Sequence, residues 1–108
     1  MNPQSLDELF DFLRFQSISA DPAYAPEVER CAGWLNAKFL RMGFDSAIYP
    51  TKGHPVVVAR SQPRDDRRTV LIYGHYDVQP AKPFDQWATP PFEPHLENGS
   101  IFARGVAD

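Results

Sequence analysis

A single cysteine, Cys31, stands in 108 residues, so no internal disulfide can form, and a reducing, cytoplasmic setting is the expectation. The opening Met1-Asn2-Pro3-Gln4-Ser5 has no basic stretch leading into an apolar one, so it does not read as a secretory signal. No apolar run approaches the roughly 20 residues that a membrane helix needs, and no membrane partner is expected. Basic clusters are scarce as well. The longest is the Arg67–Arg68 pair, and the formal net charge is −3. That balance disfavours a nucleic-acid partner, whose phosphates demand concentrated positive charge. Length is the last shortage: 108 residues suffice for one small domain and no more.

Proline, by contrast, is abundant and uneven. Five of the eleven, Pro80, Pro83, Pro90, Pro91 and Pro94, crowd one stretch without regular periodicity. A long, stiff loop inside a small domain is uncommon without a use. The N-terminal half is patterned differently. Ser5 and Glu8 form a capping box, and Leu6, Leu9, Phe10 and Leu13 recur at helical spacing, which predicts a short helix over 5–15. Residues 16–22 are turn formers. Pro26 suits a first helical turn, and Tyr24, Val28, Cys31, Leu35, Phe39 and Met42 make an apolar stripe that ends at Gly43, a good C-terminal cap.

Beyond Gly43 the period shortens. Ser46–Tyr49 and Pro55–Ala59 read as strands, and Thr69–Gly74 as an apolar strand covered on both faces. An Asn98–Gly99 turn would lead Ile101–Phe102 into one more. Two helices followed by several strands give an α/β fold whose core looks incomplete.

The Val70–Tyr73 run leads directly into Gly74-His75-Tyr76-Asp77. Reactive groups in open α/β sheets gather beyond the carboxyl ends of strands. A His and an Asp two residues apart on extended chain point to one side. Imidazole ligates zinc, and a neighbouring carboxylate can hold its other nitrogen. Alone, the pair fits a hydrogen-bonded structural histidine better than a metal ligand. The ordered company is more specific: Gly74-His75-Tyr76-Asp77-Val78-Gln79-Pro80, then Trp87, then Pro90-Pro91-Phe92-x-Pro94, then Asn98-Gly99, then Arg104-Gly105-Val106-Ala107-Asp108.

That series, with the early Leu13-Arg14-Phe15-Gln16-Ser17-Ile18-Ser19, resembles the zinc peptidase family of carnosinase, cytosolic dipeptidases, aminoacylase, acetylornithine deacetylase and glutamate carboxypeptidase. The Val78-Gln79-Pro80 form leans toward the dipeptidase branch. The resemblance implies that residues 1–108 are the N-terminal part of a mixed-sheet catalytic domain, without the lid and dimerisation domain. It implies two zinc ions, with manganese or cobalt as alternatives by ligand type. His75 would be a metal ligand, Asp77 the catalytic-site carboxylate that orients it, and Asp108 the carboxylate bridging both metals. The substrate would be a small peptide or an N-acyl amino acid, and the full-length parent a homodimer. Two departures stand out: Ala103 where the family has Gly before Arg-Gly, and Val106 where a smaller residue is common.

The family continues past the bridging Asp to a Glu–Glu pair, a further acidic ligand and a final His, with one Glu acting as general base. Two ligands cannot hold two zinc ions, so the 108-residue piece alone is expected to be inactive. The rival expectations are a truncated non-catalytic product and an interaction module that pairs its unfinished sheet with a partner. Other residues carry plainer readings. Trp87 and Phe92 would anchor the proline-rich loop, Arg104 would make structural hydrogen bonds, and His54 would be structural. His95 would sit exposed in a turn, Cys31 would be a small core residue, and Asp65–Asp66 a solvated turn.

Overall fold

The computed structural model describes all 108 residues and has two helices followed by two small antiparallel hairpins. Helix α1 spans Pro3–Leu13. It begins two residues earlier than the Ser5–Glu8 capping box predicts, because Asn2 takes the cap: its side-chain oxygen accepts from the Ser5 N–H at 2.7 Å. Pro3 then fills the first helical position, where a missing N–H is harmless. Glu8 is engaged elsewhere, pairing with Lys38 on the second helix at 2.7 Å.

Helix α2, Ala25–Arg41, follows its apolar stripe. Val28, Cys31 and Ala32 are fully buried, as the small-core reading of Cys31 anticipates. The helix stops where Gly43 adopts φ +86°, with its N–H donating to the Leu40 carbonyl. Glu27 in the first turn and Lys38 and Arg41 in the last suit the helix dipole. Phe12 of α1 stacks on Trp34 of α2, with ring centroids 5.5 Å apart and planes 11° off parallel. No helix is long and apolar enough to cross a membrane.

Strands β1 (Asp45–Tyr49) and β2 (Val56–Arg60) pair antiparallel, Ala47 opposite Val58, and lie against α2. Strands β3 (His95–Glu97) and β4 (Ser100–Phe102) form the second hairpin. Its turn holds Asn98 at φ +50° and Gly99 at φ +79°, the pair of left-handed residues that a two-residue hairpin requires. His95 therefore belongs to a strand and is half-buried, not free in a turn.

The Thr69–Gly74 strand does not form. Residues 68–77 have no regular structure, and Val70, Leu71, Ile72 and Tyr73 are between 78% and 93% exposed. The apolar pattern is right for a covered strand, but among these 108 residues no strand pairs with it and no layer covers it. The whole molecule shares this openness. Its accessible surface is 8311 Å², against about 6,100 Å² for a compact protein of this mass. Its radius of gyration is 15.8 Å, against about 13 Å. The firmest packing lies where the 13–18 segment and α2 meet residues 76–78, beside the residues singled out for chemistry.

Candidate functional site

The segment between the helices, Ser17-Ile18-Ser19, holds residues 76–78 in place. The Ser17 hydroxyl donates to the Tyr76 carbonyl at 2.7 Å, and the Val78 N–H donates to the Ser17 carbonyl at 2.9 Å. Ile18 and Val78 form an isolated parallel bridge. The Tyr76 hydroxyl reaches across to donate to the Pro55 carbonyl at 2.6 Å. This side of the site is built without a sheet: backbone groups that a strand ladder would satisfy find partners in a loop instead.

His75 and Asp77 turn to the same side, as their spacing predicts. The His75 Nδ1 lies 3.0 Å from Asp77 Oδ1 and 3.1 Å from the Asp77 carbonyl. Both neighbours are acceptors, so Nδ1 carries the proton. The Asp77 carboxylate is shared: Oδ1 faces His75, and Oδ2 accepts from the Ser19 hydroxyl. Ser19 is the chief reason that the Asp77 pKa is lowered from its ordinary value, with His75 adding to the effect.

Asp108 completes the group. Its Oδ1 stands 3.3 Å from His75 Nε2. The His75 pKa is raised by the Asp77 carbonyl first, then by the Asp108 and Asp77 carboxylates. The reason is electrostatic: with Nδ1 protonated, a neutral ring would aim the Nε2 lone pair at a carboxylate. The arrangement favours a proton or a cation between them.

A metal ion meets this demand. Two ligands on one tetrahedral zinc, each about 2.0–2.2 Å from it, stand about 3.3–3.5 Å apart along the tetrahedral edge. The 3.3 Å between His75 Nε2 and Asp108 Oδ1 fits that spacing. The donor types, one imidazole and one carboxylate, fit as well. Their number falls short: nowhere in the molecule are three or more His, Cys, Asp or Glu side chains placed to hold a metal ion together.

Asp108 owes its position to the loop before it. Gly105 has φ +86°, and a Cβ there would stand 2.6 Å from Val78 Cγ1. Glycine lets the loop lie flat against Val78 and return Asp108 toward His75. Upstream, Ala103 is buried, and the Arg104 N–H donates to the Pro91 carbonyl at 2.7 Å. The Arg104 guanidinium stacks over Trp87, 5.0 Å from the ring centroid, and its Nε is buried without a partner. Its structural hydrogen bond thus comes from the backbone, and its side chain acts by stacking. Trp87 anchors the proline-rich loop as expected, donating from Nε1 to the Ala81 carbonyl at 2.8 Å.

His54 is structural, its Nε2 lying 2.9 Å from the Ser19 carbonyl. The sequence reading missed Ser17, Ser19 and Gly105 as parts of the site. The two serines sit in a segment that reads as a break between helices and as part of the family's opening, with no role named for either, and their partners lie 58 and 59 residues away. The chain around His75 and Asp108 also lines one shallow cleft with Phe15, Val78 and Arg104.

Residues 71–108 match the family described as Peptidase family M20/M25/M40. The chain is 32% identical over 102 residues to a cysteinylglycine-S-conjugate dipeptidase of Corynebacterium striatum, covering 94% of this chain and 22% of that protein. Human carnosine dipeptidase 1 superposes with a TM-score of 0.90 at 27% identity, over 97% of this chain and 25% of that one. A metallo-carboxypeptidase of this family from Sulfolobus solfataricus gives 0.83 at 36% identity, over 97% and 23%. The chain thus spans about a quarter of the length of the relatives it matches.

Proposed function

The chain belongs to peptidase family M20/M25/M40, and from that premise we propose that it supplies the first part of the metal site of a dipeptidase-like hydrolase. The observation that carries this reading is the presentation of His75: Nδ1 is committed to Asp77, and Nε2 faces Asp108 at a ligand-to-ligand distance. His75 would hold one ion through Nε2, and Asp108 would bridge to a second. Zinc suits the nitrogen and oxygen donors, with manganese or cobalt as alternatives. Such ions, when bound, supply Lewis acidity and a water acidified toward neutral pH.

The residues of this chain then have narrower tasks. Asp77 keeps the proton on Nδ1 and so leaves Nε2 free to donate its lone pair. Asp108 brings the negative charge that offsets the cations. Residues 1–108 would be the N-terminal portion of the catalytic domain, and the lid and dimerisation domain would belong to the remainder of a homodimeric, cytoplasmic parent. The substrate would be a small peptide or N-acyl amino acid, cut near a free carboxylate. With two donors where a catalytic zinc takes three, the 108 residues alone would not hydrolyse it.

Two measurements test this. Zinc titrated calorimetrically into the chain should bind weakly, and His75→Ala should abolish the heat. In the full-length parent, apo-enzyme should regain dipeptide hydrolysis on adding zinc, manganese or cobalt. Full hydrolysis by a His75→Ala parent would sink the proposal.

The exposure of Val70–Tyr73 favours one second reading, that of an interaction module whose apolar run pairs with another chain. A chain that sediments as a monomer and binds no partner would count against it.

A further inference from the structure

Ser19 enters the sequence reading only as the last residue of the Leu13–Ser19 segment, with no role assigned, yet it makes the one contact that settles how the Asp77 carboxylate lies. A carboxylate turns easily about its terminal torsion, whose energy well is broad. One hydrogen bond to His75 leaves that rotation largely open, because either oxygen can serve. Here the two oxygens are distinguished: Oδ2 accepts from Ser19, and Oδ1 is left for Nδ1 of His75. Ser19 is itself held from the other side, since its carbonyl lies 2.9 Å from His54 Nε2. Two residues back, Ser17 grips the Tyr76 carbonyl and the Val78 N–H, so the backbone on both sides of Asp77 is fixed to the same short segment.

We propose that Ser19 is a positioning residue: through Asp77 it fixes His75 in the Nδ1–H tautomer and keeps Nε2 directed at Asp108. The inference deepens the reading of His75 as a metal ligand and rests on it for its meaning. The quantity it predicts, the tautomer of one imidazole, exists without metal. His54 and Ser17 act further out, by holding the segment that carries Ser19. The order of dependence runs from His54 to Ser19, then Asp77, then His75.

The test is a long-range proton–nitrogen spectrum of the 15N-labelled 108-residue chain, recorded at alkaline pH where the His75 ring is neutral. The wild-type chain should show Nδ1 as the protonated, pyrrole-type nitrogen and Nε2 as the unprotonated one, because Nδ1 faces two Asp77 oxygens at 3.0 and 3.1 Å and Nε2 only one exposed Asp108 oxygen at 3.3 Å. Ser19→Ala should move both signals toward the mixed values of free histidine, in which Nε2–H predominates. Ser19→Thr, which keeps the hydroxyl, should restore the wild-type pattern. A merely structural role for Ser19 would leave the tautomer unmoved while the amide signals shift.

An unchanged tautomer in Ser19→Ala would overturn the proposal. So would loss of the Nδ1–H form in Ser19→Thr with the amides of residues 76–78 in place. A variant that unfolds does not leave the matter open, because the wild-type chain answers separately. Its Ser19 hydroxyl proton should exchange slowly enough to be observed and should collapse in Asp77→Asn. A Ser19 hydroxyl in fast exchange would overturn the proposal as well. Zinc added to the wild-type chain after its metal-free tautomer has been read separates the two ideas: a mixed tautomer before zinc, with zinc then bound, refutes only the role of Ser19. A fixed Nδ1–H tautomer without zinc binding refutes only the metal reading.

Discussion

Gly105→Ala is the substitution on which the geometry of the 103–108 loop speaks most directly. Two separate penalties meet at this position. The backbone sits at φ +86°, where an L-residue with a Cβ is disfavoured by about 1–2 kcal/mol. The added methyl would also stand 2.6 Å from Val78 Cγ1, an overpacking that typically costs about 1–3 kcal/mol. Val78 cannot retreat freely, because its N–H is tied to the Ser17 carbonyl at 2.9 Å. Together the variant should lose about 2–5 kcal/mol. A second substitution divides the sum. Val78→Ala removes Cγ1, and the next neighbours of the added methyl, Val78 Cβ and the Asp108 carbonyl, stand at an ordinary 3.8 Å. In the Val78→Ala background, then, Gly105→Ala should cost only the backbone share, about 1–2 kcal/mol. The double-mutant cycle should show favourable coupling of about 1–3 kcal/mol, well above the roughly 0.5 kcal/mol expected of independent sites. Urea midpoints supply the numbers, with a stabilising osmolyte present so that a weakened variant still has a folded baseline. Additive single and double substitutions would refute the claim that this loop is pressed against Val78.

Other expectations follow from the same geometry. The buried Cys31 thiol is pushed from 9.0 to about 11, chiefly by burial. Below pH 9 the thiol is protonated whether folded or unfolded, and above it only the unfolded form ionises. Stability should therefore fall between pH 9 and 11, by at most about 3 kcal/mol at roughly 1.4 kcal/mol per pH unit. Cys31→Ala should flatten that part of the urea-midpoint profile; an unchanged slope would refute the assignment. Asn2→Ala should lower stability by about 1 kcal/mol through loss of the Ser5 N–H cap, seen as a lower urea midpoint, and Asn2→Ser should recover most of it. In the full-length parent, Asp108→Ala should lose metal together with dipeptide hydrolysis, whereas Asp77→Asn should keep part of its metal and lose affinity about 10–100-fold. Metal content by elemental analysis beside the rate separates the two.

How far the sequence could be read depended on where each residue finds its partners. Helix α2 was legible to within about a residue because its stripe, its Pro26 and its Gly43 are all local instructions. The β3–β4 turn was legible for the same reason, since Asn98 and Gly99 encode left-handed backbone. Helix α1 slipped by two residues because two capping signals compete, and Asn2 followed by Pro3 outranks Ser5 with Glu8, whose carboxylate is drawn to Lys38. The Thr69–Gly74 strand failed for a different reason. Its apolar pattern states that both faces are to be covered, but a pattern does not supply the cover, and no neighbour among these 108 residues does. At the site, His75 and Asp77 could be paired because two residues of extended chain fix their sides. Ser19 and Gly105 could not, since nothing in a serine among turn formers, or a glycine after an arginine, names a partner 58 or 27 residues away.

The failed strand and the formed site bear on one another. Residues 70–73 lead directly into His75, so an uncovered run would be expected to leave the histidine without a fixed direction. It does not, because the site is braced from the other side: Ser17 and Ser19 hold Tyr76, Asp77 and Val78, and the Tyr76 hydroxyl is tied to Pro55. The orientation of His75 thus depends on loop-to-loop hydrogen bonds that are complete within this chain. A complete metal site, in contrast, needs more donors than the two, His75 and Asp108, that these residues would supply. Orientation and occupancy are separable in this fold. A change that covers residues 70–73 should raise global stability while leaving the His75 tautomer where Ser19 and Asp77 have set it.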